Sequence, residues 1–298
     1  LDGNYPVGTD NVALGDTALD SLTTGGYNTA LGALALTANT SGGYSTAVGY
    51  VALRDNTTGL NSAFGAYAAY QTTTGTNNTA LGASTLDANT TGSYNTAVGH
   101  TALYANTTAS NNTAVGYQAG YSNTTGAALT AVGYVALTNN TTGNYNTAFG
   151  YEAGKGNTTA QLNTFIGFEA GRGTTTGAVN TIVGARAMKN ATTASSNTGL
   201  GYGVMGLLTS GTQNVAVGRD ALVSSTTADN CVAVGYEALY GNTTASSNTA
   251  VGYQSLYANT TGTYNVALGR SALAANTTAG YNSALGADAL VTNTTGAA

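Results

Sequence analysis

A seventeen-residue period dominates this sequence and limits the folds that it can adopt. From Asn11 onward the chain repeats Asn-Thr-Ala-Val-Gly-Tyr-x-Ala-Leu-x-x-Asn-Thr-Thr-Gly-x-Tyr, with copies beginning at residues 11, 28, 45, 61, 78, 95, 112, 129, 146, 163, 180, 197, 214, 231, 248, 265 and 282. Only the copy that begins at Ser45 is one residue short. A constant period without insertions indicates stacked repeats and excludes a conventional globular enzyme with one mixed core.

The fifth position of the period is glycine in every copy. A position that never carries a Cβ atom needs a positive φ or a close approach by a neighbouring segment of chain. We therefore predict that these residues are structural turn glycines: Gly15, Gly32, Gly49, Gly65, Gly82, Gly99, Gly116, Gly133, Gly150, Gly167, Gly184, Gly201, Gly218, Gly235, Gly252, Gly269 and Gly286.

Strands fit this period better than helices do. The consensus repeat holds two glycines and several Thr and Asn residues, and it has no sustained apolar face at helical spacing. We predict an all-β fold, a parallel β-solenoid (β-roll) of seventeen 17-residue rungs with strands of about four to five residues. The apolar residue at position four is expected to point inward, and Ala at positions three and eight to keep the coil narrow.

Residues 11–298 form the predicted solenoid domain. Residues 1–10 include Pro6, the only proline, and are expected to be an N-terminal arm or plug. The seventeenth copy runs in phase to Ala298, so the last rung is expected to meet a further domain or the N-terminal end of another molecule.

Stacking in register places equal positions of successive copies in ladders. Thr at position thirteen forms a ladder from Thr23 to Thr294, and Asn at position twelve forms another, in which amides can bond to the rungs above and below. Tyr117, Tyr134 and Tyr151 are consecutive at position six, so their rings should stack. The Asn-Thr-Thr-Gly segment is expected to turn the chain, since Asn and Gly tolerate left-handed conformations.

The small amount of apolar surface that each copy can bury predicts association between chains. Each copy offers only about two large apolar residues, such as Val234 and Leu239, which is little to offset the entropy of ordering a rung. We expect neighbouring chains to supply the missing burial against the Ala and Gly positions, which predicts a homo-oligomer, as a trimer or a head-to-tail filament.

The charge content narrows the choice of partners. Charged residues make up only 6 % of the chain, and its seven Lys and Arg residues are too few to neutralise a nucleic-acid backbone. No apolar run approaches the roughly 20 residues of a membrane helix. We therefore predict no nucleic-acid partner and no membrane insertion.

Several segments resemble the short Ser-Val-Ala-Ile-Gly motif in the heads of trimeric autotransporter adhesins, and the longer repeat is similar to repeats of bacteriophage tail fibres and related bacterial surface proteins. The resemblance covers residues 11 to 298. It implies a left-handed, homotrimeric β-roll, located extracellularly on a cell or virion surface, with a surface glycan or host receptor as partner. The segments that carry the motif are Asn11–Gly15, Asn214–Gly218, Cys231–Gly235 and Asn265–Gly269.

The sequence contains few residues that could support catalysis or bind a cofactor. His100 is the only histidine and is interpreted as a tolerated surface residue, and the lone Cys231 as a buried neutral substitution for Asn. No carboxylate pair recurs, so we predict neither an enzyme nor a metal or cofactor site. A cluster of charged residues is interpreted as a binding patch or as a solvated face: Glu152, Lys155, Glu169, Arg172, Arg186 and Lys189.

Asn-Thr-Thr triplets form a second set of candidate residues. They are sequons for N-glycosylation in a cell that has the machinery, and they are also explained as turn chemistry repeated by duplication. The Asn residues are Asn56, Asn89, Asn106, Asn123, Asn140, Asn157, Asn242, Asn259, Asn276 and Asn293.

Three functions remain open at this point. The leading hypothesis is a non-enzymatic extracellular fibre segment with an adhesive or surface-binding role. The alternatives are a subunit of an end-to-end filament and an ice-binding protein whose Thr ladders order water.

Overall fold

The computed structural model describes residues 8–296, and it confirms the predicted parallel β-solenoid. The chain forms two compact units, Leu1–Asn146 and Thr147–Ala298. Within the described residues there are seventeen strands, each of three residues rather than the four to five expected. The strands of the first unit are β1 Val12–Leu14, β2 Thr29–Leu31, β3 Thr46–Val48, β4 Ser62–Phe64, β5 Thr79–Leu81, β6 Thr96–Val98, β7 Thr113–Val115 and β8 Thr130–Val132. Those of the second unit are β9 Thr147–Phe149, β10 Thr164–Ile166, β11 Thr181–Val183, β12 Thr198–Leu200, β13 Val215–Val217, β14 Val232–Val234, β15 Thr249–Val251, β16 Val266–Leu268 and β17 Ser283–Leu285.

Each copy of the repeat is one rung of the solenoid. Within each unit a strand pairs in parallel with the strand of the next rung, so that Ala97 lies beside Ala114. The short third rung keeps this register, because Ala47 still pairs with Ala63, sixteen residues further on. The missing residue is absorbed outside the strands, and the strand ladder therefore continues through this rung.

The interior is narrow and is filled mainly by small side chains. Ala97 at position three, Ala102 at position eight and Leu103 at position nine are buried, and the same positions are buried in most rungs. The expectation for Ala is confirmed, but the inward direction predicted for position four is wrong. Successive side chains of a strand point to opposite faces, so an inward Ala at position three forces positions two and four outward.

The glycine at position five has both of the properties predicted for it. Its φ lies between +122° and +141° in all seventeen rungs. A Cβ on Gly99 would lie 2.5 Å from the carbonyl oxygen of Gly116 in the next rung, which is too close for any side chain. Gly286 has φ +122° but no atom within 4 Å of its Cβ direction. The glycine therefore provides a left-handed backbone and also allows rungs to stack closely.

Other left-handed residues lie at positions seven, nine and seventeen, where the sequence gives little sign of them. In the sixth rung these residues are Thr101, Leu103 and Asn111, with φ of +56°, +49° and +62°. The Asn and Gly residues of the Asn-Thr-Thr-Gly segment are not left-handed, so that part of the turn prediction is wrong. Side-chain bonds shape this segment instead, as in Asn39, whose Oδ1 accepts the N–H of Gly42 at 2.8 Å.

Two ladders of buried amides run through the interior. Nδ2 of Asn106, at position twelve, donates to Oδ1 of Asn89 at 2.9 Å and to the carbonyl of Ala109 at 3.0 Å. Asn95, at position one, donates to the same carbonyl at 2.9 Å, and its Oδ1 accepts the N–H of Asn112 at 3.0 Å. Buried amides therefore bond both within and between rungs, which compensates for their removal from water.

The predicted N-terminal arm, residues 1–10, lies mostly outside the described residues. Its last part already follows the repeat, because the carbonyl of Thr9 accepts the N–H of Tyr27 at 2.9 Å, as Gly26 does for Tyr44 in the next rung. Asp10 has φ +56°, like the other residues at position seventeen. Stacking thus begins before Asn11.

Candidate functional surface

A row of apolar side chains on the outer face of the strands is the main candidate surface. We call it the position-four row. Its residues are apolar in every rung, and they are half-buried or exposed, with Leu31 44 % and Phe149 56 % exposed. In the first unit the row comprises Leu14, Leu31, Val48, Phe64, Leu81, Val98, Val115 and Val132. In the second unit it comprises Phe149, Ile166, Val183, Leu200, Val217, Val234, Val251, Leu268 and Leu285. Large contiguous apolar patches on a protein surface are typical of interaction surfaces.

Aromatic ladders lie on the outside of the solenoid at position six. The rings of Tyr117 and Tyr134 stack with centroids 5.3 Å apart and planes 16° apart, which confirms the stacking predicted for this pair. Tyr151 stacks on Phe168 in the second unit at 5.2 Å. Further stacked pairs occur at positions ten and seventeen, as in Tyr104 with Tyr121 and Tyr27 with Tyr44. Ring stacking stiffens the outer surface without using interior space.

His100 and Cys231 lie where the sequence predicted them. His100 is exposed at position six and stacks on Tyr117 at 5.8 Å. Cys231 is fully buried, its thiol donates to the carbonyl of Ala245, and burial raises the pKa of that thiol. The nearby carboxylate of Asp229 adds to the rise in the pKa of the Cys231 thiol, so its surroundings favour the unreactive, protonated form.

Ion pairs connect the charged cluster. Glu152 accepts from Lys155 at 2.9 Å and from Arg172 at 2.6 Å. Glu169 lies 3.6 Å from Arg172 and 3.4 Å from Arg186. Four ion pairs thus form one continuous chain of alternating charge across neighbouring rungs, in which both carboxylates have little contact with solvent. This arrangement neutralises much of the charge that a binding patch would need.

The sequon asparagines point into the solenoid. All except Asn293 are fully buried, and most of their amides bond to the amide of a neighbouring rung in the position-twelve ladder, as Asn123 does with Asn106 at 3.1 Å. N-glycosylation attaches the sugar to Nδ2, the atom that makes these interior hydrogen bonds. A glycan on any of the nine buried residues would therefore be incompatible with the folded rung: Asn56, Asn89, Asn106, Asn123, Asn140, Asn157, Asn242, Asn259 and Asn276.

The threonine ladder at position thirteen is a hydrogen-bonded seam. The hydroxyl of Thr107 donates to the carbonyl of Thr124 at 3.1 Å, and the same bond recurs in most rungs. These hydroxyl donors are already used within the protein, which lowers the capacity of this ladder to order water.

The position-one amide ladder was not identified from the sequence. Asn begins almost every copy, and this recurrence is the pattern that indicates the ladder. The apolar residues that follow it predict the strand but give no sign that the Asn side chain is buried. Across residues 8–296 no group of three or more His, Cys, Asp or Glu residues is placed to hold a metal ion. The same residues contain no helix long and apolar enough to cross a membrane.

Comparison of the chain with protein-family models, with curated proteins and with solved structures finds no match.

Proposed function

We propose that this chain is a non-enzymatic structural fibre segment with an adhesive role, extracellular on a cell or virion surface, that assembles as a left-handed homotrimer. The observation that supports this proposal is the position-four row, an apolar stripe that recurs in every rung of both units. The repeated interior is filled by Ala, Leu and paired Asn, and it supports a shape rather than a reaction.

The position-four row is the surface through which we expect copies to associate. An exposed apolar row is unfavourable in water, and covering it with the same row of other copies removes it from solvent. Equal rung spacing in every copy, about 4.8 Å, lets such rows match along their length. The Ala and Gly positions proposed from the sequence do not offer this surface, because Ala97 and its equivalents are buried.

Sedimentation equilibrium of variants tests the assembly. Wild-type protein is expected to sediment as three chains that persist on dilution. Val98→Lys with Val115→Lys introduces two charges into the row and should give folded monomers. Thr108→Lys with Thr125→Lys is the matched control, since these threonines are exposed at position fourteen in the same two rungs, and it should remain trimeric.

Electron microscopy of the same samples separates the proposal from the filament alternative. Discrete particles support the trimer, and endless end-to-end assemblies would favour the filament. A wild-type protein that is a folded monomer at all concentrations would overturn the proposed assembly. The adhesive role is tested by retention of protein-coated beads on polysaccharide-coated glass under flow, and retention equal to that of albumin-coated beads would contradict it.

A further inference from the structure

A groove of about 340 Å³ lies on the first unit beside the stacked rings of Tyr27 and Tyr44. We call it the Tyr27–Tyr44 groove. The two rings are 52 % and 63 % exposed, with centroids 4.9 Å apart. Besides the rings, its lining includes Thr24, Ser41, Gly26 and Gly43. The groove therefore combines aromatic surface, hydroxyl groups and accessible backbone, and none of the described residues that line it is charged.

Glycine at position sixteen opens this groove and leaves a backbone donor without its usual acceptor. In six other rungs the N–H at position sixteen donates to a side-chain oxygen at the same position of the next rung, as Thr76 does to Ser93 Oγ at 3.0 Å. Gly43 offers no side chain to the N–H of Gly26, and Gly59 offers none to the N–H of Gly43. An oxygen atom of a ligand can occupy the place that Ser93 Oγ fills elsewhere.

The chemistry of the groove points to a carbohydrate. Pyranose rings present C–H groups that pack against aromatic rings, and they carry hydroxyl oxygens that accept from N–H groups and bond to Thr and Ser hydroxyls. We propose that the Tyr27–Tyr44 groove binds a neutral hexose oligosaccharide. This inference rests on the proposed adhesive function and assigns a ligand class and a site to it.

A related combination of residues occurs in the second unit. Tyr264 and Tyr281 stack with centroids 5.1 Å apart, Tyr281 is 70 % exposed, and Gly280 occupies position sixteen between them. Thr263 cannot donate its N–H to a side chain of Gly280, but Thr263 itself carries a side chain where the first site has Gly26. We therefore assign a second, less open site to this pair of rungs.

Saturation-transfer NMR with maltohexaose, cellohexaose, mannohexaose and chitohexaose tests the proposal on the full chain. At least one hexaose should receive saturation from the tyrosine protons. Gly43→Ser places a hydroxyl in the groove, as Ser93 does naturally, and should reduce the transfer by at least about half, because the site that has glycine at position sixteen in both rungs is lost. Gly43→Ser with Gly280→Ser should abolish it.

Tyr94→Leu is the matched control, since Tyr94 lies at position seventeen beside Ser93 and Ser110, where side chains fill the groove. It should leave the transfer unchanged. Gly43→Ser and Gly280→Ser each place a Cβ 2.7 Å from a backbone carbonyl oxygen of the preceding rung, so their melting temperatures are expected to fall. Binding is therefore compared well below the melting transition, where circular dichroism and sedimentation should show both variants folded and assembled as the wild type is, so that loss of binding is not loss of folding. Absence of transfer to all four hexaoses, or its persistence in the double serine variant, would overturn the sites. Trimers without hexaose binding would leave the proposed assembly standing and refute only this inference.

Discussion

Two stretches of the solenoid fill the interior at position twelve with different side chains. From Asn89 to Asn140, in the first unit, position twelve is Asn in four successive rungs, and the amides form an unbroken ladder. In the second unit the equivalent residues are Thr174, Ala191 and Leu208, and the buried hydroxyl of Thr174 has no hydrogen-bond partner. The first stretch is ordered by hydrogen bonds and the second by apolar packing.

The apolar stretch compensates volume within two of its three rungs, whereas the rung between them carries both Ile182 and Met188. Phe165 replaces the usual Ala at position three, and Gly171 replaces the usual Leu at position nine, where a Cβ would overlap the ring of Phe165. Two rungs later the exchange is reversed, with Gly199 at position three and Met205 at position nine. A Cβ on Gly199 would lie 2.8 Å from Cε of Met205. The backbone cross-section is therefore the constant feature, and the side chains adapt to it.

The largest loss of stability is expected at the glycine of position five, which both stretches contain. Gly99→Val and Gly167→Val should each destabilise the protein by more than about 4 kcal/mol, because the new Cβ meets backbone atoms of the next rung at 2.5 Å and 2.7 Å. Gly286→Val carries the same φ strain without that contact and should cost about 1–2 kcal/mol. Thermal melts followed by circular dichroism compare the three, and equal losses would mean that backbone contact is irrelevant.

The next effect tests compensation in the apolar stretch. Gly171→Leu alone should destabilise the protein by about 3 kcal/mol or more through overpacking against Phe165. Phe165→Ala with Gly171→Leu rebuilds the usual rung and should recover most of that loss, with a coupling of about 2–3 kcal/mol in a double-mutant cycle. Additive effects in urea unfolding would refute direct packing between positions three and nine.

A third prediction concerns the amide ladder. Asn106→Leu removes donors to Asn89 and Ala109 and leaves the amide of Asn123 without its acceptor, so we expect a loss of about 2–4 kcal/mol. Leu208→Asn should also destabilise, by about 1–3 kcal/mol, because Ala191 and Ser225 provide no amide neighbours there. Urea unfolding measures both. A neutral result for either variant would show that the two stretches are interchangeable.

The smallest expected effect is a gain at Cys231. Cys231→Asn restores an acceptor for the N–H of Asn248 and should stabilise the protein by about 1 kcal/mol. Burial raises the pKa of the thiol, so the folded state holds that proton more tightly than the unfolded state does. The thiol's contribution to stability is thus fully present below the unfolded pKa, about 8.5, and is lost as the pH rises through the folded pKa.

The difference in the free energy of unfolding between wild type and Cys231→Asn isolates this effect, since the rest of the chain is the same in both. The free energy of unfolding should fall more steeply for the wild type above about pH 8.5. Parallel curves for the two proteins would contradict the buried, protonated thiol.

Much of the fold was predictable from the sequence, and the exceptions have physical causes. The seventeen-residue period, with Gly at position five of every copy, was enough to predict the stacked rungs and their register. The outward direction of the Val98 side chain was not predictable, because an apolar residue suits an interior and an association surface equally well. Buried sequons such as Asn106 escaped notice because Asn-Thr-Thr is also typical of exposed turns. The left-handed Leu103 was unforeseen because rung geometry, not residue preference, imposes its φ.

The candidate surface was less predictable than the fold. The charged residues were visible in the sequence, but the pairing of Glu152 with Arg172 depends on two residues from neighbouring rungs. The Tyr27–Tyr44 groove depends on a glycine whose effect is visible only when the next rung is stacked upon it.

Spin-label spectroscopy tests the central claim, the in-register stacking of seventeen-residue rungs, most directly. In a Cys231→Ser background, nitroxides are attached at Thr91→Cys, Thr108→Cys and Thr125→Cys, three exposed residues at position fourteen of successive rungs. Neighbouring rungs are separated by about 5 Å and alternate rungs by about 10 Å. The 91/108 pair should therefore show the strongest dipolar broadening, the 91/125 pair weaker broadening, and each single label none. Equal spectra for both pairs, or spectra identical to the sum of the single labels, would contradict the stacked rungs.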